Sequence, residues 1–497
     1  MRASFARSKL TSRLSLFGGQ PSFAPASTWY TTSHMVSGRA PTILASGTTA
    51  LHRVFSRYPT TQQSSYKYTT STMSSTETSR LLPNDQKHPL SGKTIIVSGA
   101  GTAGLSFAKG ILEFWPSSLP PPKIKLYERD PRDLPASRGN YSIGLRSDKL
   151  SGGLQALKKL NLLDQVLAAC VPNSDKNGSI RDHNWEDMIH LRNPDTPPDG
   201  LPVANVRITR NSVRETMIRA LPEAVEKNFD VQCVSASKSE KGGMDVKLSG
   251  DDEKEVHCDL LVVADGASSK MRRALRPDDG LKFIGASLIT GNAFFEPGKV
   301  PPYVEDSFGP VIGGQGTGLV VFPIDDRSCV WFITHRSKEP RTSISGEKAL
   351  AMKDEIMAEV RSRGAVFGER LELLLQATEM SSLKIFNAQD KRPISHTDIE
   401  SEPVVYIGDA SHAVSPFAGN GMNMAIMDGY SLSSALCNAT SIAEAVKEFD
   451  KESVPRCTKA WRISHVVLRI FHAKGIFLWL VVRILRSLFW LIGGRKQ

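Results

Sequence analysis

The first regular pattern of apolar and polar positions begins at Lys93. Residues 94 to 98 (TIIVS) are a short β-branched apolar run that predicts a buried strand. The glycine-rich stretch Gly99 to Gly104 follows, and Leu105 to Phe114 then carry apolar residues at helical spacing. The pattern is strand, glycine turn, helix. A second strand at residues 123 to 127 ends in Glu128. Two more runs, residues 260 to 266 (LLVVADG) and 404 to 409 (VVYIGD), read as buried strands that enter Asp265-Gly266 and Gly408-Asp409 turns. A helix is predicted from about Met424 to Leu436. Between these runs the texture changes. Phe283 to Phe295, Gly318 to Pro323 and Ser328 to His335 are β-branched and aromatic runs divided by turn residues, which predict an antiparallel sheet lying mainly in residues 281–380. Helices are predicted at about 347–362 and 366–378.

Composition alters this picture at the two ends. The chain has 497 residues, 40% of them hydrophobic, enough for two or more domains. Its formal charge of +11 suggests nucleic acid until the charge is located. Residues 1–76 hold eight Lys or Arg and no acid, and residues 453–497 hold nine and no acid. The body between them carries 45 basic against 51 acidic residues, so a basic groove for a phosphate backbone is not expected. Residues 1–76 also contain 28 Ser or Thr, the composition of an organelle (mitochondrial) transit peptide or of a disordered extension. Six scattered cysteines, with no C-x-x-C, predict free thiols in an intracellular, reducing compartment and no metal site.

The chemistry starts at the glycines. Gly99 permits the tight turn, Gly101 lets backbone approach a pyrophosphate, and Gly104 lets helix and strand pack closely, with the anion at the helix N-terminus. Glu128, 24 residues past Gly104, is placed to accept hydrogen bonds from an adenosine ribose. NAD and FAD share that fingerprint.

With the Asp265-Gly266 and Gly408-Asp409 turns in the same order, the chain resembles the class A flavin monooxygenases, the flavoprotein aromatic hydroxylases, over residues 93 to about 450. The pattern is closest to the branch containing the tetracycline-inactivating monooxygenases and their fungal relatives. The resemblance implies an α/β fold in which a Rossmann-like FAD-binding domain (body 93–450) is interleaved with an antiparallel substrate sheet, plus C-terminal helices. It implies that Glu128 binds ribose, that Asp409 binds the ribityl and pyrophosphate region of FAD, and that Asp265 with Gly266 braces the dinucleotide. Arg210 matches the cofactor-contacting arginine before a helix, with Arg214 a weaker candidate. Gly419, Gly421 and Asn423 would line the flavin ring at the N-terminus of the following helix. NADPH or NADH is the implied transient reductant and O₂ the co-substrate, in hydroxylation of an aromatic or polyketide-like molecule. Phe322, Trp331 and Phe332 are candidates for lining its cavity, although period-2 apolar residues more often form plain core. His412 is expected to be structural, since the cofactor carries the chemistry. Gly144 stands where the tetracycline-inactivating members carry Asp, and Asn420 where they carry Gln, so a different substrate is expected.

Residues 461–494 are apolar, aromatic and basic, but their longest uncharged run, 475 to 482, is well short of the ~20 residues that span a bilayer. An interfacial helix on a membrane surface is expected. An apolar tail also suits an epoxidase of membrane-dissolved isoprenoids. A non-enzymatic lipid carrier of the same fold is the alternative from another class.

Overall fold

The computed structural model describes residues 88–480 and 483, apart from 135–140, 149, 151, 172–173, 176–177, 192, 194–195, 251–253 and 306–308. The N-terminal stretch 1–76, and 481–482 and 484–494 of the C-terminal stretch, lie outside the described residues. The chain opens with β1 (Thr94–Ser98), α1 (Thr102–Phe114), β2 (Lys123–Glu128) and β3 (Ser142–Arg146). Two short helices, α2 (Gly153–Lys159) and α3 (Leu163–Ala168), precede β4 (Gly178–Asp182) and β5 (Asp187–Leu191). Next come β6 (Asn205–Thr209), α4 (Arg210–Arg219) and β7 (Glu226–Phe229). Then β8 (Cys233–Lys238), β9 (Met244–Leu248) and β10 (Glu255–Cys258) lead to β11 (Leu260–Val263) and α5 (Lys270–Leu275). The second domain adds β12 (Lys282–Phe294), α6 (Pro302–Glu305), β13 (Gly309–Ile312), β14 (Thr317–Pro323) and β15 (Ser328–Arg336). It continues with α7 (Glu347–Ala351), α8 (Lys353–Gly364), α9 (Gly368–Gln376) and β16 (Thr378–Asp390). The chain then returns through β17 (Val404–Tyr406), α10 (Asp409–His412), α11 (Gly421–Asn438) and α12 (Ile442–Phe471).

Five strands make a parallel sheet in the order β17-β11-β1-β2-β7. Both faces are covered, which is why its strands read as continuous apolar runs. Ile95 and Val97 pack with α1 and α11, and Ile96 packs on the other side with Cys233, Met244 and Val246 of the antiparallel β8–β10 layer.

The second sheet has seven strands, β16-β12-β15-β14-β13-β4-β5. It is wider than the span 281–380, for it runs on to Asp390 and recruits β4 and β5, and its β13–β4 pair is parallel. Helices α8 and α9 bury one face of it, through Ile356, Val360, Leu371 and Leu374. The antiparallel β3–β6 pair joins the two domains. Asn423 of α11 holds its backbone at Arg146 N and Gly144 O (both 2.8 Å), and the Arg207 guanidinium stacks 3.8 Å over the Phe322 ring of the second sheet.

The boundary expected at Trp461 falls inside α12. Ser464, Leu468, Phe471 and His472 are buried, because Ser464 bonds Ser415, His472 bonds Thr334, and Phe471 packs on Phe417. The exposed apolar surface starts only at Ile476 and Phe477. Among the described residues no helix is long and apolar enough to cross a membrane. All six cysteines are free.

Candidate active site

In a parallel sheet every strand ends on the same edge, and ligands bind in the crevice outside those carboxyl ends. Here that edge gathers Gly99–Gly104 after β1, Glu128 ending β2, Asp265 after β11 and Gly408–Asp409 after β17. The sequence separates these residues by up to about three hundred positions.

The glycine loop is built as its spacing requires. Gly99 adopts φ +111°, and a Cβ there would lie 2.5 Å from Ala264 O and 2.9 Å from Asp265 Cα, so the Asp265 turn is pressed against the loop. A Cβ on Gly104 would lie 2.1 Å from Gly99 O, the close approach that seats α1 on β1. Around Gly101 there is open space. It caps α1 without any side-chain hydrogen bond, and the first turn of the helix carries no acid, which leaves its amides and dipole for an incoming anion.

Glu128 accepts from Ala100 N (2.7 Å) and Asp130 N (3.0 Å), so its carboxylate is fixed against the loop. Asp265 Oδ2 accepts from Lys270 N and Met271 N, while its Oδ1 is buried without a hydrogen bond. Burial pushes its pKa above the ordinary carboxylate range, against the hydrogen bonds that lower it. Asp409 is likewise pushed up by burial, opposed by the charges of His412, Arg210 and Arg272. Arg210 heads α4, with its N–H on Tyr141 O (3.2 Å). Arg214 is spent on the backbone, donating to Arg132 O and Pro131 O. Gly419 (φ +62°) and Gly421 lie just before and at the start of α11, and a Cβ on Gly421 would be 3.7 Å from Asp409 Oδ1. Asn423 follows in the first turn of α11. It is fully buried and its amide reaches β3.

Three participants were not foreseen. Buried Arg272 clamps two turns together, donating to Ala267 O (2.5 Å), Asp409 O (3.4 Å) and Ala410 O (2.7 Å). Arg146 donates to Asn420 Oδ1 (3.0 Å) and Ala418 O (3.3 Å), beside Gly419. Arg207 is anchored by Ser142, and burial beside Arg146 lowers its pKa to about 9. Single arginines such as Arg207, set between Val206 and Ile208, carry no periodic signal of their own, so only the fold reveals them.

Trp331 is wholly buried under α8 and α9, with Nε1 on Thr378 Oγ1 (2.9 Å), so it is core. Phe332 and Phe322 point to the opposite face, near Phe417 and Arg207. His412 is buried against Asp428.

A parallel sheet with a glycine-bounded loop at a helix N-terminus, a carboxylate fixed against that loop and two aspartates at the same edge defines a dinucleotide-binding class of protein. The open space at Gly101, the unpartnered Asp265 Oδ1 and the uncapped α1 fit an ADP-containing cofactor. Comparison with known proteins identifies it. The FAD binding domain family matches residues 202–462. The chain is 35% identical to Monooxygenase cfoF of Aspergillus candidus over 397 residues, 79% of this chain and 94% of that protein. It is 26% identical to the chloroplastic zeaxanthin epoxidase of Nicotiana plumbaginifolia, spanning 72% of this chain and about half (51%) of that one. Among solved structures it superposes on Klebsiella pneumoniae HpxO complexed with FAD and uric acid (TM-score 0.65, 18% identity, 80% of this chain and 94% of that one). It also superposes on tetracycline destructase Tet(55) (TM-score 0.58, 17% identity, 78% and 92%). The chain belongs to the FAD-dependent class A flavoprotein monooxygenases.

Proposed function

We propose that this monooxygenase draws electrons from NADH or NADPH and hydroxylates an aromatic or polyketide-like small molecule held between the cofactor edge and the seven-stranded sheet. The observation that carries the reading is a row of half-buried apolar residues, Val320, Phe322, Phe332 and Phe386, on the sheet face turned toward Arg207 and Phe417. FAD, when bound, supplies the oxygen chemistry. The protein supplies position and shelter. The α1 amides and Gly101 hold the diphosphate, Glu128 takes ribose hydroxyls, and Asp409 accepts from the ribityl side. The N-terminus of α11 favours negative charge, and Phe471, packed over Gly318 on the same sheet face, would shield a bound substrate from water. One dinucleotide fingerprint in the chain supports a nicotinamide nucleotide that visits and leaves. Small aromatic ligands in the structures of relatives, uric acid in HpxO and 2-aminobenzoylacetate in PqsL of P. aeruginosa, support the substrate class. The test is nucleotide oxidation followed spectrally across a panel of phenolic, polyketide and isoprenoid compounds. Hydroxylated product from a phenol or polyketide is expected; an epoxide formed only from isoprenoids would replace this reading with the epoxidase one.

A membrane surface is the second reading, and it rests on the exposed Ile476 (78%), Phe477, Trp479 and Leu480 together with the basic Lys474 and Arg483. Sedimentation with anionic vesicles is expected for the full chain and lost when these four apolar residues become Ser. Failure of the full chain to sediment would end this reading.

A further inference from the structure

Asp428, in the third turn of α11, is fully buried, and its two oxygens take four donors from three other segments. Oδ2 accepts from Gly408 N (2.8 Å) and from His412 Nε2. Oδ1 accepts from Ser453 Oγ (2.9 Å) and Arg456 Nη2 (2.7 Å), both on α12. His412 and Arg456 hold the Asp428 carboxyl well below the ordinary range, and Asp428 in turn holds the His412 imidazolium well above its own. Cys457 completes a His412, Asp428, Cys457 group whose ligand atoms lie within 4.8 Å of one another. Carboxylate oxygens already filled by N–H and O–H donors, with two cations beside them, make a poor seat for a metal ion.

The first of those donors is the informative one. Gly408 has φ +57° and ψ −144°, a conformation side-chain-bearing residues rarely adopt, and a Cβ there would stand 2.9 Å from Ala103 Cβ of α1. Its carbonyl is fixed by the Ser411 and His412 amides (2.9 Å each), and its N–H by Asp428. The peptide that precedes Asp409 is therefore held from behind, and with it the direction of the Asp409 carboxylate. We propose that Asp428, balanced by His412 and Arg456, is the positioning residue that aims Asp409 at the cofactor, which makes α12 part of the cofactor site. This rests on Asp409 contacting FAD. The network reaches the Asp409 turn through Gly408 N, so the effect proposed for it passes through Asp409.

The experiment is a double-mutant cycle on FAD affinity, read by flavin fluorescence as FAD is titrated into apoprotein, with Asp409→Ala, Asp428→Asn and both together. Each single variant is expected to weaken FAD at least tenfold. The double variant is expected to be within about twofold of Asp409→Ala, because a carboxylate that is gone can no longer be misaimed. Multiplying effects would mark a merely structural Asp428 and overturn the proposal, as would an unchanged FAD affinity in Asp428→Asn. An unchanged affinity in Asp409→Ala would instead remove the contact on which the proposal rests. Should Asp428→Asn not fold, Arg456→Gln takes its place in the same cycle, since it leaves the Gly408 and His412 bonds intact. A roughly threefold, non-multiplying loss is then expected, and a multiplying or absent loss overturns the proposal.

Discussion

The two faces of the seven-stranded sheet differ in how their large side chains are covered. On one, Leu319, Val321, Trp331, Ile333, Ile289 and Ile385 are sealed to 2% exposure or less by α8 and α9. On the other, Val320, Phe322, Phe332 and Phe386 remain half-buried beneath Arg207 and Phe417. The first face stabilises the domain, and the second is the one we propose for the substrate. Apolar area withheld from the core is area available for recognition.

The sharpest way to break this comparison is to truncate one aromatic on each face. Trp331→Ala removes a fully buried indole and the bond to Thr378, at about 3–5 kcal/mol, so denaturant unfolding of the holoprotein should show a large loss of midpoint. Phe332→Ala should cost only about 1–2 kcal/mol, in line with its half-burial. Equal losses at the two positions would mean that both faces are plain core.

Acid gives the next largest effect, because each face ends in a buried histidine. His335 lies on the helix side near Glu359, Arg341 and Arg363, and His472 bonds Thr334 on the other side. Burial is the first cause in both, and it lowers each imidazole to about 4. The folded chain thus keeps them neutral where the unfolded chain, near 6.5, takes up protons. Their contribution is complete above pH ~6.5 and is lost as pH falls toward 4, by at most about 3 kcal/mol each. His412 has the opposite sign: raised by Asp428, it stabilises below pH ~6.5 and its contribution fades only as pH climbs through the folded value. Unfolding free energy measured from pH 7 to 4.5 should therefore fall less steeply in His335→Gln and in His472→Gln than in the parent. Parallel curves would mean neither histidine is held neutral.

The smallest stability effect separates the faces most cleanly in function. Phe322→Leu, beneath the Arg207 guanidinium, should cost about 1 kcal/mol or less in stability while raising KM for a productive aromatic substrate several-fold. A KM indistinguishable from the parent would take Phe322 out of the substrate wall.

Much of the molecule was legible before its fold was seen. The glycine turn, Glu128 and the two Gly/Asp turns are each local signals, set by strand endings and by backbone shapes that few residues adopt, and their parallel strands bring them to one edge. The sheet and helix runs of the second domain were legible for the same reason, since period 2 and period 3.6 are written in consecutive residues. The reach of α12 was not, because apolar residues such as Leu468 and Phe471 look alike whether they cover a sheet or a lipid surface. Nor was Asp428, whose donors come from as far away as Arg456.

By itself the sequence determined that two β-runs flank the turn at Asp325 and Asp326, that Gly99 must turn, and that Asp409 would end a buried strand. It could not determine which side of the strands lies under α8 and α9, that Trp331 rather than Phe332 is sealed there, or that Asp428 would close around Gly408. Alternation is symmetric, and it says that two faces differ without saying which is covered. A buried carboxylate is stable only once every donor around it has arrived, and those donors are assembled by tertiary packing alone.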